Sequence, residues 1–188
     1  MNDVQLKALE EKIAELLSQK ERVIVGIDGC CAAGKTTLAE RLSQSFDCNV
    51  FHMDDFFLRP GQRTPERFSE VGGNVDYERF HDEVIVPLIK NESFSYRPYD
   101  CHTMELTEAV EVRPKALNII EGTYSLHPYN AEAIDFSVFI GVDEALQCER
   151  ILKRPAQLHE SFFKLWIPME HRYFEKLLCE SEFDFIIE

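Results

Sequence analysis

The chain has 188 residues, 45% hydrophobic and 29% charged, a composition typical of one globular domain with a sizeable core. Its formal net charge is -14, from 20 basic and 34 acidic residues, which argues against wrapping a nucleic-acid backbone or lying on an anionic membrane. Both of those partners require a cationic face. A small-molecule partner is therefore favoured.

The N-terminal residues 2–20 carry apolar side chains at helical spacing among charges, so they predict an amphipathic helix and not an export signal. No stretch approaches the roughly 20 apolar residues of a membrane span. The six cysteines lack C-x-x-C spacing and the regularity of a disulfide framework, which is typical of reduced thiols. We expect a cytoplasmic protein of one domain, with residues 1–21 as an N-terminal helix and residues 22–188 as the core.

Short apolar runs alternate with helical patterns, which predicts an α/β fold with a mainly parallel sheet of about five strands and helices on both faces. The predicted strands are Val23–Ile27, Val50–Met53, Ala116–Ile120, Phe136–Ile140 and Phe183–Ile187. The predicted helices are residues 2–20, 35–46, 76–90, 143–154 and 160–180. Pro168 would kink or break the last helix.

Two segments between these elements are less regular. The pieces SFSYRPY and ELTEAVEV, which precede the third predicted strand, could form a small β-hairpin beside the main sheet. Residues 54–74 are rich in proline and glycine and predict a long loop. Long loops in compact domains are usually functional or mobile.

Residues 29–36 read G-C-C-A-A-G-K-T, a full match to the phosphate-loop pattern G-x-x-x-x-G-K-[ST], with an apolar strand before and a helix pattern after. The glycines let backbone N–H groups point at phosphate oxygens, Lys35 would bridge the terminal phosphates, and the Thr36 hydroxyl would bind Mg²⁺. The sequence thus predicts a three-layer sandwich of the P-loop NTPase type. The residues expected to hold the nucleotide are Gly29, Cys30, Cys31, Ala32, Ala33, Gly34, Lys35, Thr36 and Thr37.

Acids follow two further predicted strands. Asp54 and Asp55 come after one strand and Glu121 after another, at the carboxyl ends where ligands bind in open α/β sheets. Phosphoryl transfer needs an acid beside Mg²⁺ and, for a hydroxyl acceptor, a carboxylate that takes the proton. The sequence supplies candidates for both.

The sequence contains neither the N-K-x-D element of regulatory GTPases nor the L-S-G-G-Q element of transporter ATPases. Its motifs GIDGCCAAGKTTLAERL, FHMDDFF, GGNVDYERF, IIEGTYSLHP and ERILKR resemble, in their order, the uridine kinase-like family of small-molecule kinases. That family includes nicotinamide riboside and pantothenate kinases. The resemblance, which spans residues 22–155, implies ATP and Mg²⁺ as cofactors and a small-molecule hydroxyl as the phosphoryl acceptor.

The resemblance also implies roles for single residues. Asp54 matches the catalytic aspartate that takes the proton of the substrate hydroxyl, and Glu121 matches an acid that acts with Thr36 on Mg²⁺. Arg150 and Arg154 lie four residues apart on one helix face and resemble lid arginines that close over ATP. Uridine kinases continue with an R-D-x-x-x-R-G-R lid, whereas this chain continues RPAQLHESFFKLW, which puts uridine or cytidine as the acceptor in doubt.

Four further residues are candidates for contact with the acceptor beside Asp54. Asp76 resembles an aspartate that binds ribose hydroxyls in nucleoside kinases, although an Asp that opens a helix is as often an N-cap. Tyr99 and His102 lie where uridine kinases carry a Y-D-x-x-x-H element, with the histidine early in that spacing. Phe56 could stack on a planar acceptor or pack beneath the loop.

These observations predict a kinase in which Lys35, Asp54, Arg150 and Arg154 carry the transfer of the γ-phosphoryl group. The alternatives are a catalytically silent nucleotide-binding module, which the short lid would explain, and an NTP hydrolase with water as the acceptor. The acceptor stays open among a ribonucleoside, nicotinamide riboside, pantothenate and other polyols. The aromatic face of the last helix suits a core or a homodimer interface equally well.

Overall fold

The main sheet of the computed structural model, which describes residues 2–180 and 183–187, has five strands. They are β1 (Val23–Gly29), β2 (Cys48–His52), β7 (Leu117–Glu121), β8 (Phe136–Ile140) and β9 (Phe185–Ile187). Their order is β2-β7-β1-β8-β9, and every neighbouring pair is parallel. The predicted parallel sheet is confirmed, and the predicted strand ends differ from the observed ones by at most two residues.

Strand β1 lies at the centre of this sheet, and all seven of its residues are buried. In the strand register, Glu121 of β7 pairs with Ile27 of β1 on one side and with His52 of β2 on the other. Parallel strands end at the same edge of a sheet. The segments that follow β1, β2 and β7, which carry the phosphate loop, Asp54 and Glu121, therefore meet at one edge.

Helices cover both faces of the sheet, as predicted. They are α1 (Asp3–Gln19), α2 (Lys35–Ser45), α3 (Pro65–Ser69), α4 (residues 77–90), α5 (Glu144–Leu152) and α6 (residues 159–180). Val25 packs in one core with α1 and α2, whereas its neighbour Ile24 packs in the other with α4 and α6, because successive side chains of a strand point to opposite faces. Among the described residues, no helix is long and apolar enough to cross a membrane.

Helices α4 and α6 each continue past a proline. A π-helical turn, His81–Ile85 in α4 and Phe162–Trp166 in α6, ends just before the residue that precedes Pro87 or Pro168. That preceding residue donates its N–H to the carbonyl five residues earlier. The shift in the hydrogen-bond register thus falls beside a proline, which has no N–H to donate. The predicted break of the helix at Pro168 does not occur.

Two short antiparallel strand pairs form where the sequence predicted a hairpin. They are β3 (Phe94–Tyr96) with β6 (Val110–Val112), and β4 (Tyr99–Asp100) with β5 (Glu105–Leu106). The ring of Phe51 on β2 stacks on that of Phe94, with centroids 6.1 Å apart. This small lobe therefore packs against the edge strand of the main sheet.

The predicted loop of residues 54–74 is held by its own contacts. It contains helix α3, from which Arg67 donates to Glu78 at 2.6 Å and to the carbonyl of Val75 at 2.9 Å. A β-bridge between Phe57 and Val75 closes the loop at its base. These contacts return the chain to α4 beside the carboxyl edge of the sheet.

The carboxylate of Asp28, near the end of β1, is fully buried and joins three segments. Its Oδ1 accepts from the N–H groups of Gly29 at 2.7 Å and Tyr124 at 3.2 Å. Its Oδ2 accepts from the Leu126 N–H at 3.0 Å and from the Tyr173 hydroxyl at 2.7 Å. Burial raises the pKa of this carboxyl, and the hydrogen bonds act against that shift. The phosphate loop, the turn after β7 and α6 are thus tied to one side chain.

Replacing Asp28 by Asn tests this tie. The amide nitrogen of the new Asn would face two of the hydrogen-bond donors that now reach Asp28, and it cannot accept from them. We therefore expect Asp28→Asn to lower the free energy of unfolding by about 1–3 kcal/mol. Tyr173→Phe removes only one of the four donors, and we expect a smaller loss. Urea unfolding of both variants measures the difference. Equal stability of Asp28→Asn and the wild type would contradict the assignment of this network.

Candidate functional site

The phosphate loop leaves β1 through backbone conformations that favour glycine. The φ angle of Gly29 is +144°, and a Cβ there would collide with the carbonyl of Ile140 on β8. The φ angle of Gly34 is +110°, and a Cβ there would meet no atom within 4 Å. Gly29 therefore allows close contact between strands, whereas Gly34 turns the chain into α2 beside open space.

The side chain of Lys35 is buried under the loop. Its Nζ donates to the carbonyls of Gly29 and Cys30, both at 2.8 Å, and to the Thr123 hydroxyl at 3.1 Å. These contacts hold the ammonium group at the mouth of the loop. An ammonium group there is the usual partner of the terminal phosphates of a nucleotide.

A hydrogen-bonded chain of three side chains lies beside the lysine. The Thr36 hydroxyl donates to Glu121 Oε1 at 3.1 Å, and His52 Nδ1 lies 2.5 Å from the same oxygen. The hydrogen bond with Glu121 raises the pKa of His52. Thr36 and Glu121 thereby place two oxygen atoms together, the donor type that Mg²⁺ prefers.

The loop opens onto a cavity of about 1050 Å³ that brings most of the predicted site residues together. Of the predicted residues, the lining includes Cys31, Ala32, Ala33, Gly34, Lys35, Thr36, Thr37, Asp54, His102, Glu121, Arg150 and Arg154. Gly29 and Cys30 lie behind this wall and contribute carbonyls to Lys35. Residues far apart in sequence thus line one cavity.

Asp54 faces this cavity and is surrounded by its charged groups. Its side chain reaches the water of the cavity, yet protein walls enclose it, and this desolvation raises its pKa. The nearby Glu121 raises the pKa further, whereas Lys35 and Arg154 act in the opposite direction. Asp55 lies outside the lining, with Oδ2 3.4 Å from the Tyr96 hydroxyl.

Helix α5 packs on the phosphate loop through polar side chains. Gln147 donates to the carbonyl of Cys31 at 3.1 Å, and Arg150 donates to the carbonyl of Ala32 at 2.8 Å. Arg154, one turn further on, lies over the ring of Phe162 at 4.9 Å and borders the cavity. The two predicted lid arginines therefore lie on the same side of the cavity.

Three predicted acceptor residues lie outside the cavity wall. Phe56 is fully buried and packs against the rings of Phe80 and Tyr96, which favours the packing role of the two predicted for it, whereas Phe57 borders the cavity. The reason is the short helical turn after β2, which directs Phe56 into the core.

Asp76 and Tyr99 are the other two. Asp76 caps α4 by accepting the Arg79 N–H at 3.2 Å, and it also accepts from Gln62 at 2.6 Å. Tyr99 is 4% exposed, and its hydroxyl lies 3.3 Å from the sulfur of Met104. Both side chains are therefore engaged within the protein, and for Asp76 this is the helix-capping role of the two predicted for it.

Sequence reasoning missed Glu170. This carboxylate is 5% exposed, borders the cavity and accepts the N–H of Cys31 at 3.0 Å. Burial raises its pKa. Glu170 lies 139 residues from Cys31 in the chain, so no local motif could indicate the contact. Thr123, by contrast, directly follows the E-G pair of a quoted motif and was available as a candidate.

The residues present fit a nucleotide with Mg²⁺. Residues 31–37 of the loop and the following helix line the cavity, the Lys35 side chain is buried beside them, and the Thr36 hydroxyl lies beside the Glu121 carboxylate. The Tyr124 hydroxyl, buried at the same cavity, has no hydrogen-bond partner among the described residues. Tyr124 also has a φ of +79°, a strained conformation that is common at functional sites.

Sequence comparison finds bacterial kinases as relatives. A uridine kinase of Clostridium botulinum (strain Kyoto / Type A2) is 26% identical over 148 residues, which cover 72% of this chain and 69% of the relative. A uridine kinase of Streptococcus gordonii is 23% identical over 176 residues, covering 84% and 82%. A pantothenate kinase of Ligilactobacillus salivarius is 28% identical over 177 residues, covering 83% of this chain and 58% of the relative. No protein-family model matches the chain.

A solved structure shares the fold. It is a possible uridine kinase from Bacillus stearothermophilus, which superposes with a TM-score of 0.69 at 23% sequence identity and covers 96% of this chain and 100% of its own. The predicted P-loop α/β fold is thus confirmed. Together with the sequence relatives, the comparisons confirm the resemblance of this chain to the uridine kinase-like family of P-loop small-molecule kinases.

Proposed function

We propose that this protein is a kinase that transfers the γ-phosphoryl group of ATP to a hydroxyl group of a small molecule. One observation carries the proposal: the phosphate loop and Asp54 border the same cavity. A terminal phosphate held by the loop and the carboxylate base would therefore lie in one cavity, where an acceptor hydroxyl can reach both. The relatives, which are uridine and pantothenate kinases, support the same class of reaction.

Asp54 acts in this proposal as the base. Its carboxylate takes the proton of the acceptor hydroxyl while the hydroxyl oxygen bonds to phosphorus and the bond between phosphorus and the bridging oxygen breaks. The leaving nucleoside diphosphate keeps that electron pair. Desolvation by the cavity walls and the neighbouring Glu121 raise the pKa of Asp54, which makes it a stronger base than an aspartate in open water.

The cationic side chains hold and neutralise the phosphates. MgATP, when bound, supplies the phosphoryl group, and Lys35 with the loop N–H groups would hold its phosphates while Thr36 and Glu121 hold the ion. Arg150 approaches from α5 and Arg154 from the turn just after it, and both stabilise the negative charge of the transferred group. Fixed charges in an enclosed cavity act more strongly than the same charges in water.

Two features of the cavity favour a kinase over the alternatives. The lining continues from Asp54 to the rings of Phe57 and Phe68, which supports an organic acceptor over water. Arg150 and Arg154 border the cavity despite the short lid, which supports catalysis over a silent nucleotide-binding module. A ribonucleoside, nicotinamide riboside, pantothenate and other polyols remain the acceptors to test.

The Asp54→Asn variant tests the base. We expect it to lower acceptor-stimulated ADP formation by about 10²- to 10⁴-fold, because the amide cannot take a proton, while ATP binding is retained. The assay measures ADP release with MgATP and uridine, cytidine, nicotinamide riboside or pantothenate, and nucleotide binding is measured by calorimetry.

Asp55→Asn is the matched control, since the neighbouring carboxylate lies outside the cavity, and it should keep acceptor-stimulated activity. Lys35→Ala should instead weaken ATP binding itself. Acceptor-stimulated turnover that survives Asp54→Asn would contradict the proposed base. Tight ATP binding without turnover for any acceptor would favour the silent module.

The Arg154→Ala variant tests the lid. We expect kcat to fall on the order of 10²-fold with a smaller change in the Kd of ATP, because the guanidinium acts mainly on charge in the transition state. Lys153→Ala is the matched control, since Lys153 is an exposed neighbour paired with Glu149 at 2.6 Å. Equal rates for the two variants would contradict a role of Arg154 in transfer.

A further inference from the structure

Arg63 of the 54–74 loop borders the same cavity as Asp54. Its Nε donates to the carbonyl of Leu58 at 2.8 Å, and its guanidinium carbon lies 6.0 Å from the centre of the Tyr99 ring. These contacts orient the planar group without neutralising it. Among the residues that the structure describes, no carboxylate oxygen lies within 4.0 Å of an Arg63 nitrogen.

The other arginines around this loop are paired with acids. Arg59 lies 3.8 Å from Asp76, Arg67 lies 2.6 Å from Glu78, and Arg79 lies 4.0 Å from Glu83. The chain carries 34 acidic and 20 basic residues, so acidic partners are abundant. Arg63 borders the cavity without an acidic partner among the described residues, so its guanidinium group is available to a ligand.

Three acids, Asp54, Glu121 and Glu170, line the wall of the cavity that Arg63 borders. Glu121 accepts from the Thr36 hydroxyl and Glu170 accepts from the Cys31 N–H. Asp100 lies next to this wall, but its carboxylate accepts the His102 N–H at 2.7 Å and the Thr103 hydroxyl at 3.2 Å, within its own turn. Asp100 therefore does not neutralise Arg63.

Arg63, Asp54 and Cys101 line the same cavity. Burial raises the pKa of the Cys101 thiol, Arg63 lowers it, and Asp54 and Asp100 raise it. A ligand that reaches Asp54 with its hydroxyl therefore has Arg63 within the same cavity.

We infer that the phosphoryl acceptor carries an anionic group, a carboxylate or a phosphate, which Arg63 binds while the acceptor hydroxyl lies at Asp54. The inference rests on the proposed kinase function and narrows its substrate class. A guanidinium group binds either anion through two parallel hydrogen bonds, which fixes orientation as well as position. Arg63 also offsets the repulsion between Asp54 and an anionic acceptor.

The test compares binding within matched sets that differ only in charge. The sets are pantothenate against pantothenol, and glycerate and glycerol 3-phosphate against glycerol. Calorimetry measures their affinity for the full chain saturated with Mg²⁺ and a non-hydrolysable ATP analogue, which keeps free anions out of the phosphate loop. We expect wild-type protein to bind an anionic member at least about 10-fold more tightly than its neutral partner, and Arg63→Ala to lose that preference.

Arg63→Lys should keep part of the preference, because a charge remains without the planar fork. Arg97→Ala is the charge control. Arg97 is exposed, donates to the carbonyls of Leu106 and Thr107, and lies outside the cavity lining, so this variant should keep the preference. Circular dichroism and urea unfolding check that Arg63→Ala is folded.

Wild-type protein that prefers no anionic member of any set would overturn the inference, and so would a preference that persists in folded Arg63→Ala. Carboxylate and phosphate members separate the two kinds of anion. Because binding is measured without turnover, the result does not depend on kinase activity. Transfer to an anionic acceptor at an undiminished rate in folded Arg63→Ala would overturn the inference while the proposed function stands.

Discussion

A carboxylate buried at the end of a strand destabilises a protein unless hydrogen-bond donors reach both of its oxygens. Asp28 meets this demand because two segments distant in sequence, the turn after β7 and helix α6, converge on it and on its neighbour Gly29. The same segments carry the site. Tyr173, which donates to Asp28, lies three residues after Glu170 and so on the same face of α6. Satisfying the buried carboxylate therefore also brings Glu170 against the N–H of Cys31, next to the buried Lys35.

Negative charge is the second constraint on this site. Asp28, Asp54 and Glu170 each have a pKa raised by burial, and Lys35 lowers the pKa of all three. One ammonium group thus serves several carboxylates, and the cations that complete the site must come from other elements. Arg150 and α5 approach from one side. In the proposed mechanism Mg²⁺ adds the remaining positive charge, which explains why an acidic protein can hold a polyphosphate.

The sequence predicted the features that depend on local pattern. Apolar runs identified all five strands of the main sheet. The phosphate-loop motif identified Lys35 and Thr36, and both residues line the cavity. Features that depend on tertiary packing could not be read in this way. Whether Phe56 or Phe57 borders the cavity depends on one helical turn, and the contact of Glu170 with Cys31 spans 139 residues. From Pro168 the sequence predicted a kink or a break in the last helix. The helix continues past this proline through a π-helical turn, which leaves no clear mark in sequence.

The departure of the lid from the uridine kinase pattern has a structural counterpart. Where that pattern continues with charged residues, this chain enters α6, and Leu158, Phe162, Leu165 and Trp166 border the cavity. Arg154 lies over the Phe162 ring, so an aromatic surface orients the guanidinium. The π-helical turn Phe162–Trp166 is part of this surface, and it precedes the stretch of α6 that carries Glu170 and Tyr173. The aromatic wall beside Arg154 is therefore continuous, along α6, with the Tyr173 hydroxyl that donates to Asp28, so one helix connects the lid arginine to the buried carboxylate.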